Sequence, residues 1–311
     1  MNRFFLTIFT LLFITTCFFT AGCNNSHSST DIFKETAFQP VEGNHRSESA
    51  EPMTIHLAVN DTYCKNSACA CVQYIASREY EALQEMLLLK FKIDLQLTYF
   101  IDEYELEDAL SAQKFDGVIC KPWLAFMLVP GQGIKYARIA DLLDPFETQM
   151  LTGIFLVKND SPIKSLDDVT GKRLVIGQED SFEKYHMPFM LMEKNQIKPK
   201  KLFQRSSCTE NISMMLDDSV DVAVVSDYAL IASCAADLGK EDDFRIIAKT
   251  EEIPLCSVII DLAKVSEKNA LILQKALLEL SGKNSPKSML SRGFVKPAKW
   301  TPSPYLKDKI R

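Results

Sequence analysis

The sequence predicts an α/β fold of two lobes, each a mostly parallel sheet with helices on both faces and a ligand cleft between them. Three observations carry that expectation. Strand-like and helix-like patterns alternate along the chain, the order that builds parallel sheets. The alternation runs through once, meets the apolar stretch GIFLV at 153–157, and then begins again. From residue 53 onward the chain has about 260 residues, room for one large domain or two lobes.

In the first half, residues 54–59 (TIHLAV) read as a strand. Residues 74–90 read as a helix with Tyr74, Ala82, Met86 and Leu89 near one face. Residues 93–100 (IDLQLTYF) alternate as a strand should. A helix is expected at 103–112, a short buried strand at 117–120, a brief helix at 122–128 and a strand at 137–142. Residues 153–157 then cross into the second lobe.

There the pattern repeats, with a short helix at 165–169 before Gly171 and a strand at 173–176 (RLVI). Residues 182–195 read as a helix despite Pro188 near its first turns. Strands are expected at 202–205, 220–225 (VDVAVV) and 245–249, and helices at 210–216 and 227–235. Residues 255–261 (LCSVIID) carry the chain back, and a long amphipathic helix at 263–280 closes the fold. The expected lobes are therefore 53–150 and 151–255, with 256–311 returning to the first. Such lobes enclose a cleft lined by loops at the C-terminal ends of parallel strands. Hinge closure around a ligand is the motion this architecture allows.

The N-terminus sets the compartment. Arg3 precedes an apolar run from Phe4 to Phe19, and Thr20-Ala21-Gly22-Cys23 comes next. That is a bacterial export signal over 1–22 ending in a lipoprotein cleavage box, with Thr20 where Leu is usual. Cleavage would leave Cys23 at the new terminus with a covalent lipid on its thiol. The body would then sit in the cell envelope, outside the cytoplasmic membrane. A simple membrane anchor or an ordinary secretory signal is the alternative. Residues 23–52 then form a lipidated cysteine and polar tether, too poor in apolar residues to fold alone.

No second segment is apolar and long enough to span a membrane. A formal net charge of -6, with no basic stripe, excludes nucleic acid as a partner.

Four stretches resemble the PhnD-like family, the phosphate/phosphite/phosphonate solute-binding proteins of ABC transporters. They are the opening strand through Asn60, the run Leu166-Asp167-Asp168-Val169-Thr170-Gly171-Lys172-Arg173-Leu174-Val175-Ile176, the run Val220-Asp221-Val222-Ala223-Val224-Val225-Ser226-Asp227, and Arg292-Gly293-Phe294-Val295. The resemblance covers roughly 53–299. It implies the type II periplasmic-binding-protein fold, an extracytoplasmic solute-binding role, an oxyanion ligand and an ABC permease as partner.

It also places a Ser-Thr-Ser anion site after the strand at 173–176. This chain breaks that pattern with Gly177-Gln178-Glu179-Asp180-Ser181-Phe182-Glu183-Lys184-Tyr185-His186. Ser181 survives, but Glu179, Asp180 and Glu183 crowd the same end, where a dianion would need Lys184, His186 or Lys121 to offset them. A capping box formed by Asp180 and Glu183, with no ligand role, is the other reading. By the same resemblance Asp227 and Tyr228 contact the ligand; Trp123, by its place after the third strand, is expected to wall the cleft or join the core. His56 is expected to be structural.

The chain has 9 cysteines, and removing Cys17 and Cys23 leaves an odd set: Cys64, Cys69, Cys71, Cys120, Cys208, Cys234 and Cys256. Three readings stay open. An exported chain favours disulfides, Cys64 with Cys69 or Cys71, and Cys208 with Cys234 or Cys256. Cys64, Cys69, Cys71, Cys120, Cys208 and Cys256 are candidate ligands for a soft metal such as copper or zinc. They are equally candidates to capture an arsenite-like oxyacid, as in a similar branch that signals through a membrane sensor kinase. No cofactor is assigned by any motif.

Catalysis is not expected. There is no G-x-S-x-G elbow and no H-E-x-x-H, and Ser181 near His186 is the sole hint of a nucleophile and base.

Overall fold

The computed structural model describes residues 51–68, 72, 76–121, 136–179, 181–230, 237–290 and 292–300. The first strands are β1 (Met53–Val59), β2 (Ile93–Tyr99), β3 (Gly117–Cys120), β4 (Tyr136–Leu142), β5 (Met150–Leu151) and β6 (Gly153–Lys158). They are followed by β7 (Arg173–Ile176), β8 (Lys201–Gln204), β9 (Val222–Ser226), β10 (Phe244–Lys249), β11 (Ile253–Pro254), β12 (Ser257–Asp261) and β13 (Phe294–Val295). The α-helices are α1 (Glu81–Phe91), α2 (Glu103–Ser111), α3 (Met187–Lys194), α4 (Cys208–Leu216) and α5 (Glu267–Glu279).

Two larger sheets result. The first has the order β13-β4-β12-β3-β1-β2 and the second β10-β6-β9-β7-β8. β1 lies parallel to β2 and β3, and β7 parallel to β8 and β9. β12 runs against β3 and β4 in the first sheet, where the edge strand β13 also runs against β4, and β6 runs against β9 and β10 in the second. Every residue of β3, β9 and β12 is buried, as expected of strands covered on both faces. Separate apolar clusters occupy the two faces: Ile55, Leu57 and Val59 on one side of β1, and Ala58 with Leu106 and Val118 on the other.

The chain passes between the sheets at β5 and β11, which pair with each other antiparallel as a two-stranded ribbon. The crossings expected at 153–157 and 255–261 therefore fall just before those stretches. β6 and β12 belong wholly to their sheets.

Three helices differ from expectation for identifiable reasons. α1 begins at Glu81, because the chain before it is drawn to the loop after β1, with the Arg78 N–H bonded to the Tyr63 carbonyl at 3.0 Å. It ends at Lys92 in the left-handed region (φ 57), whose N–H reaches back to the Leu87 and Leu88 carbonyls. The helix expected over 182–195 splits into a π turn, Phe182–His186, followed by α3. Pro188 has no N–H to give the preceding turn, and the Lys184 carbonyl it would have used accepts from Gly177 N–H at 3.0 Å instead. The helix expected at 227–235 is a short 3-10 turn, Asp227–Leu230, among the described residues, and that expected at 122–128 lies outside them. Among the described residues no helix is long and apolar enough to cross a membrane.

Candidate functional site

The ends of β1, β3, β7 and β9 converge between the two sheets, and the residues just beyond them form the candidate site. After β1 comes a buried polar cluster. Asp61 accepts from the Arg78 guanidinium at 2.7 Å, from the Tyr80 hydroxyl at 2.9 Å and from the Tyr63 N–H at 3.1 Å. Arg78 also donates to the carbonyls of Leu143 and Met289. Both charges are fully buried, and such a pair persists because its lone pairs and protons are all used.

This cluster holds the loop that presents Tyr63. The Tyr63 ring meets that of Tyr228, from beyond β9, edge to face with centroids 6.2 Å apart. The Tyr63 hydroxyl is buried with no hydrogen-bond partner. Burial first, then Asp144 and Asp227, push its pKa far up, so it stays a neutral donor.

Across the cleft the π turn presents Ser181, Glu183 and Lys184, all buried. Ser181 Oγ has no hydrogen-bond partner. Glu183 accepts from Ser226 Oγ, at the end of β9, at 2.7 Å. Lys121, the residue after β3, brings its Nζ to 3.5 Å from the same carboxylate. This ion pair joins the two lobes.

Burial would raise the Glu183 pKa, but Lys121, Lys184 and Ser226 outweigh it and hold it at about 2. The backbone is pinned here too. A Cβ on Gly153 would lie 1.9 Å from the Glu183 carbonyl oxygen, so only glycine permits that approach.

The alternative reading, a capping box of Asp180 with Glu183, falls on Asp180, which lies outside the described residues, while the Glu183 carboxylate accepts from Ser226 and pairs with Lys121. A capping box does form at α4, where Ser207 and Glu210 bond reciprocally.

Of the residues expected at the site, Lys121 reaches the second lobe at Glu183, Ser181 and Lys184 are buried at the π turn that carries Glu183, and Asp227 and Tyr228 follow the end of β9. Asp227 is spent on Thr152, accepting from its N–H at 3.0 Å and its hydroxyl at 2.8 Å, which ties the end of β9 to the strand crossing. Burial raises its pKa. His186 is engaged elsewhere. Its Nε2 pairs with the Glu179 carbonyl at 2.8 Å, and it lines a cavity of about 640 Å³ with Tyr185, Phe189 and Gln196, to which neither Glu183 nor Lys121 contributes. His56 is structural, paired with Thr98 Oγ1 at 2.9 Å and packed on Phe115. Trp123 lies outside the described residues.

Among the described residues Cys64, Cys120, Cys208 and Cys256 are buried thiols, so the Cys208–Cys256 bridge, one of the two pairings expected for Cys208, is not formed. Burial pushes the Cys64 and Cys256 thiols up, away from the thiolate a soft metal needs. Cys120 donates to the Lys121 carbonyl at 3.2 Å, and Cys208 lies 3.9 Å from Ser226 Oγ. Among the described residues no group of three or more His, Cys, Asp or Glu side chains is arranged to hold a metal ion. Cys69, Cys71 and Cys234 lie outside them.

Sequence reasoning missed Tyr63, Ser226 and the Asp61–Arg78 pair. The strand-end rule pointed to the first two, since Tyr63 follows β1 closely and Ser226 ends β9. Nothing in the sequence signalled that Arg78 would fold back on Asp61.

Two sheets, a paired double crossing and a polar site at strand ends between the lobes define a binding protein of the type II periplasmic class. A family model described as the ABC transporter, phosphonate, periplasmic substrate-binding protein matches residues 75–300, and the chain belongs to that family. It is accordingly an extracytoplasmic, non-catalytic solute-binding protein that takes a small-molecule ligand and has a permease as partner.

Solved structures agree on the fold. XAC2383 from Xanthomonas citri, bound to ATP, is similar at TM-score 0.60 and 16% identity, over 83% of this chain and 94% of its own. PhnD1 from Prochlorococcus marinus, in complex with methylphosphonate, has TM-score 0.56 and 13% identity, over 83% and 97%. A binding protein component of an ABC phosphonate transporter (PA3383) from Pseudomonas aeruginosa has TM-score 0.54 and 14% identity, over 79% and 82%. A search of the curated proteins found no match.

Proposed function

We propose that this protein is the lipid-anchored receptor of an ABC uptake system, capturing a small phosphonate-, phosphite- or phosphate-class ligand by closure of its lobes about the β5–β11 ribbon. One observation supports the ligand class most directly. Tyr63 from one lobe packs on Tyr228 of the other, and Lys121 from the first lobe meets Glu183, which holds Ser226, on the second, so neutral and cationic donors of both lobes line the interface. The buried hydroxyls of Tyr63 and Ser181 lack partners, and a buried donor left unpaired costs about 1–3 kcal/mol. A ligand oxyanion would recover that cost. Lipid on Cys23 and the polar tether would keep the receptor at the membrane that carries its permease.

The test is calorimetry on the chain from residue 24 with methylphosphonate, phosphite and phosphate. Binding of at least one is expected, weakened about tenfold or more in Tyr63→Phe or Ser181→Ala, the loss of a single hydrogen bond to a charged group. No heat and no thermal shift with any of the three at millimolar concentration would overturn the ligand class.

A further inference from the structure

Glu183 stands where a ligand's negative charge would be expected. Its carboxylate is fully buried, takes the Ser226 hydroxyl at 2.7 Å from its own lobe, and meets Lys121 Nζ at 3.5 Å from the other. The backbone beside it cannot drift. Gly153 packs against the Glu183 carbonyl, and Gly177 N–H holds the Lys184 carbonyl at 3.0 Å. A carboxylate fixed to the second sheet reaches Lys121 only while the lobes are together. Lys121 keeps 18% of its side chain exposed, so it can return to water when they part. Among the described residues, Lys184 attracts the carboxylate and Asp227 repels it, Asp227 being itself engaged by Thr152.

Resting on the reading of the cleft as an oxyanion site, we propose that Glu183 is a tethered anion that latches the lobes through Lys121 when no ligand is bound, and that an incoming oxyanion binds by displacing this carboxylate from Lys121. The closed form is then populated without ligand. The carboxylate is also a repulsive element against dianions, so the site favours ligands of lower negative charge.

The experiment measures the distance between the lobes by pulsed electron resonance, with nitroxides attached at the exposed positions 89 and 200 by chemistry that spares cysteine. Glu183→Gln keeps the side-chain shape and an acceptor for Ser226. Lys121→Met removes the cation from the other side. Circular dichroism and thermal melting confirm that both variants fold.

Ligand-free wild type is expected to give one short distance, and both variants to add a longer one. Glu183→Gln should also bind methylphosphonate about tenfold tighter or more, since a competing charge is gone. Distances unchanged in both variants would overturn the latch, whether or not methylphosphonate binds. Open variants in which Glu183→Gln binds methylphosphonate no tighter than wild type would overturn the displacement. Open variants with no methylphosphonate binding by any form would leave the latch standing and sink the ligand class instead.

Discussion

Glu183 remains charged in a fully buried position because two lysines and a hydroxyl surround it. Its folded pKa of about 2 lies below its ordinary 4.5. A depressed carboxylate contributes stability that is complete above the unfolded value and is lost as pH falls through the folded one. The window is therefore pH 4.5 down to 2, and the gap corresponds to on the order of 3 kcal/mol. Asp227, raised by burial, works in the opposite sense, and its stabilisation fades as pH rises. Urea unfolding at pH 7 and pH 3 should show wild type losing about 2 kcal/mol more than Glu183→Gln over that interval. Equal losses would mean that the carboxylate adds no net stability. At this scale the sequence named Lys184, His186 and Lys121 as cations that could offset the acidic end around Glu183. Which of them meets Glu183 across the lobes was not legible, because Lys121 and Glu183 lie 62 residues apart.

Among the elements, α4 has the clearest sequence signature. Ser207 accepts from the Glu210 N–H at 3.1 Å, and Glu210 accepts from the Ser207 N–H at 3.1 Å. Removing the cap in Ser207→Ala should lower stability by about 1 kcal/mol, while Ser207→Thr should keep most of it. Denaturant midpoints with unchanged slopes would check both, and an unaltered midpoint in Ser207→Ala would show that the cap is energetically idle. The strands of the two larger sheets, β13 aside, were legible within a residue or two, and buried runs such as VAVVS in β9 have no helical period. Helix starts were less so. The start of α1 is set by the fold-back of Arg78, and the split ahead of α3 by where Pro188 leaves a carbonyl for Gly177 to use.

For the whole molecule, the proposed lipid anchor on Cys23 would hold the receptor at a membrane while its cleft works outside it. Cys23→Ser should abolish incorporation of labelled palmitate and move the protein from the membrane fraction to the soluble one. Continued acylation in that variant would place the lipid elsewhere or refute it. The two lobes were readable because the strand–helix alternation restarts near residue 153. The location of the crossing was not, because β5 and β11 are too short to carry a pattern of their own and exist only by pairing with each other.

From the sequence alone came the α/β class, the repeated lobe, the expectation of an export signal and the family resemblance. Each is written in local periodicity or a contiguous motif, which the chain carries before it folds. The tertiary structure decided which charges meet. It brought Tyr63 against Tyr228, buried four cysteines as thiols, and set Lys121 on Glu183. Those contacts depend on how two separate sheets close on one another, and no local pattern encodes a distance across a cleft.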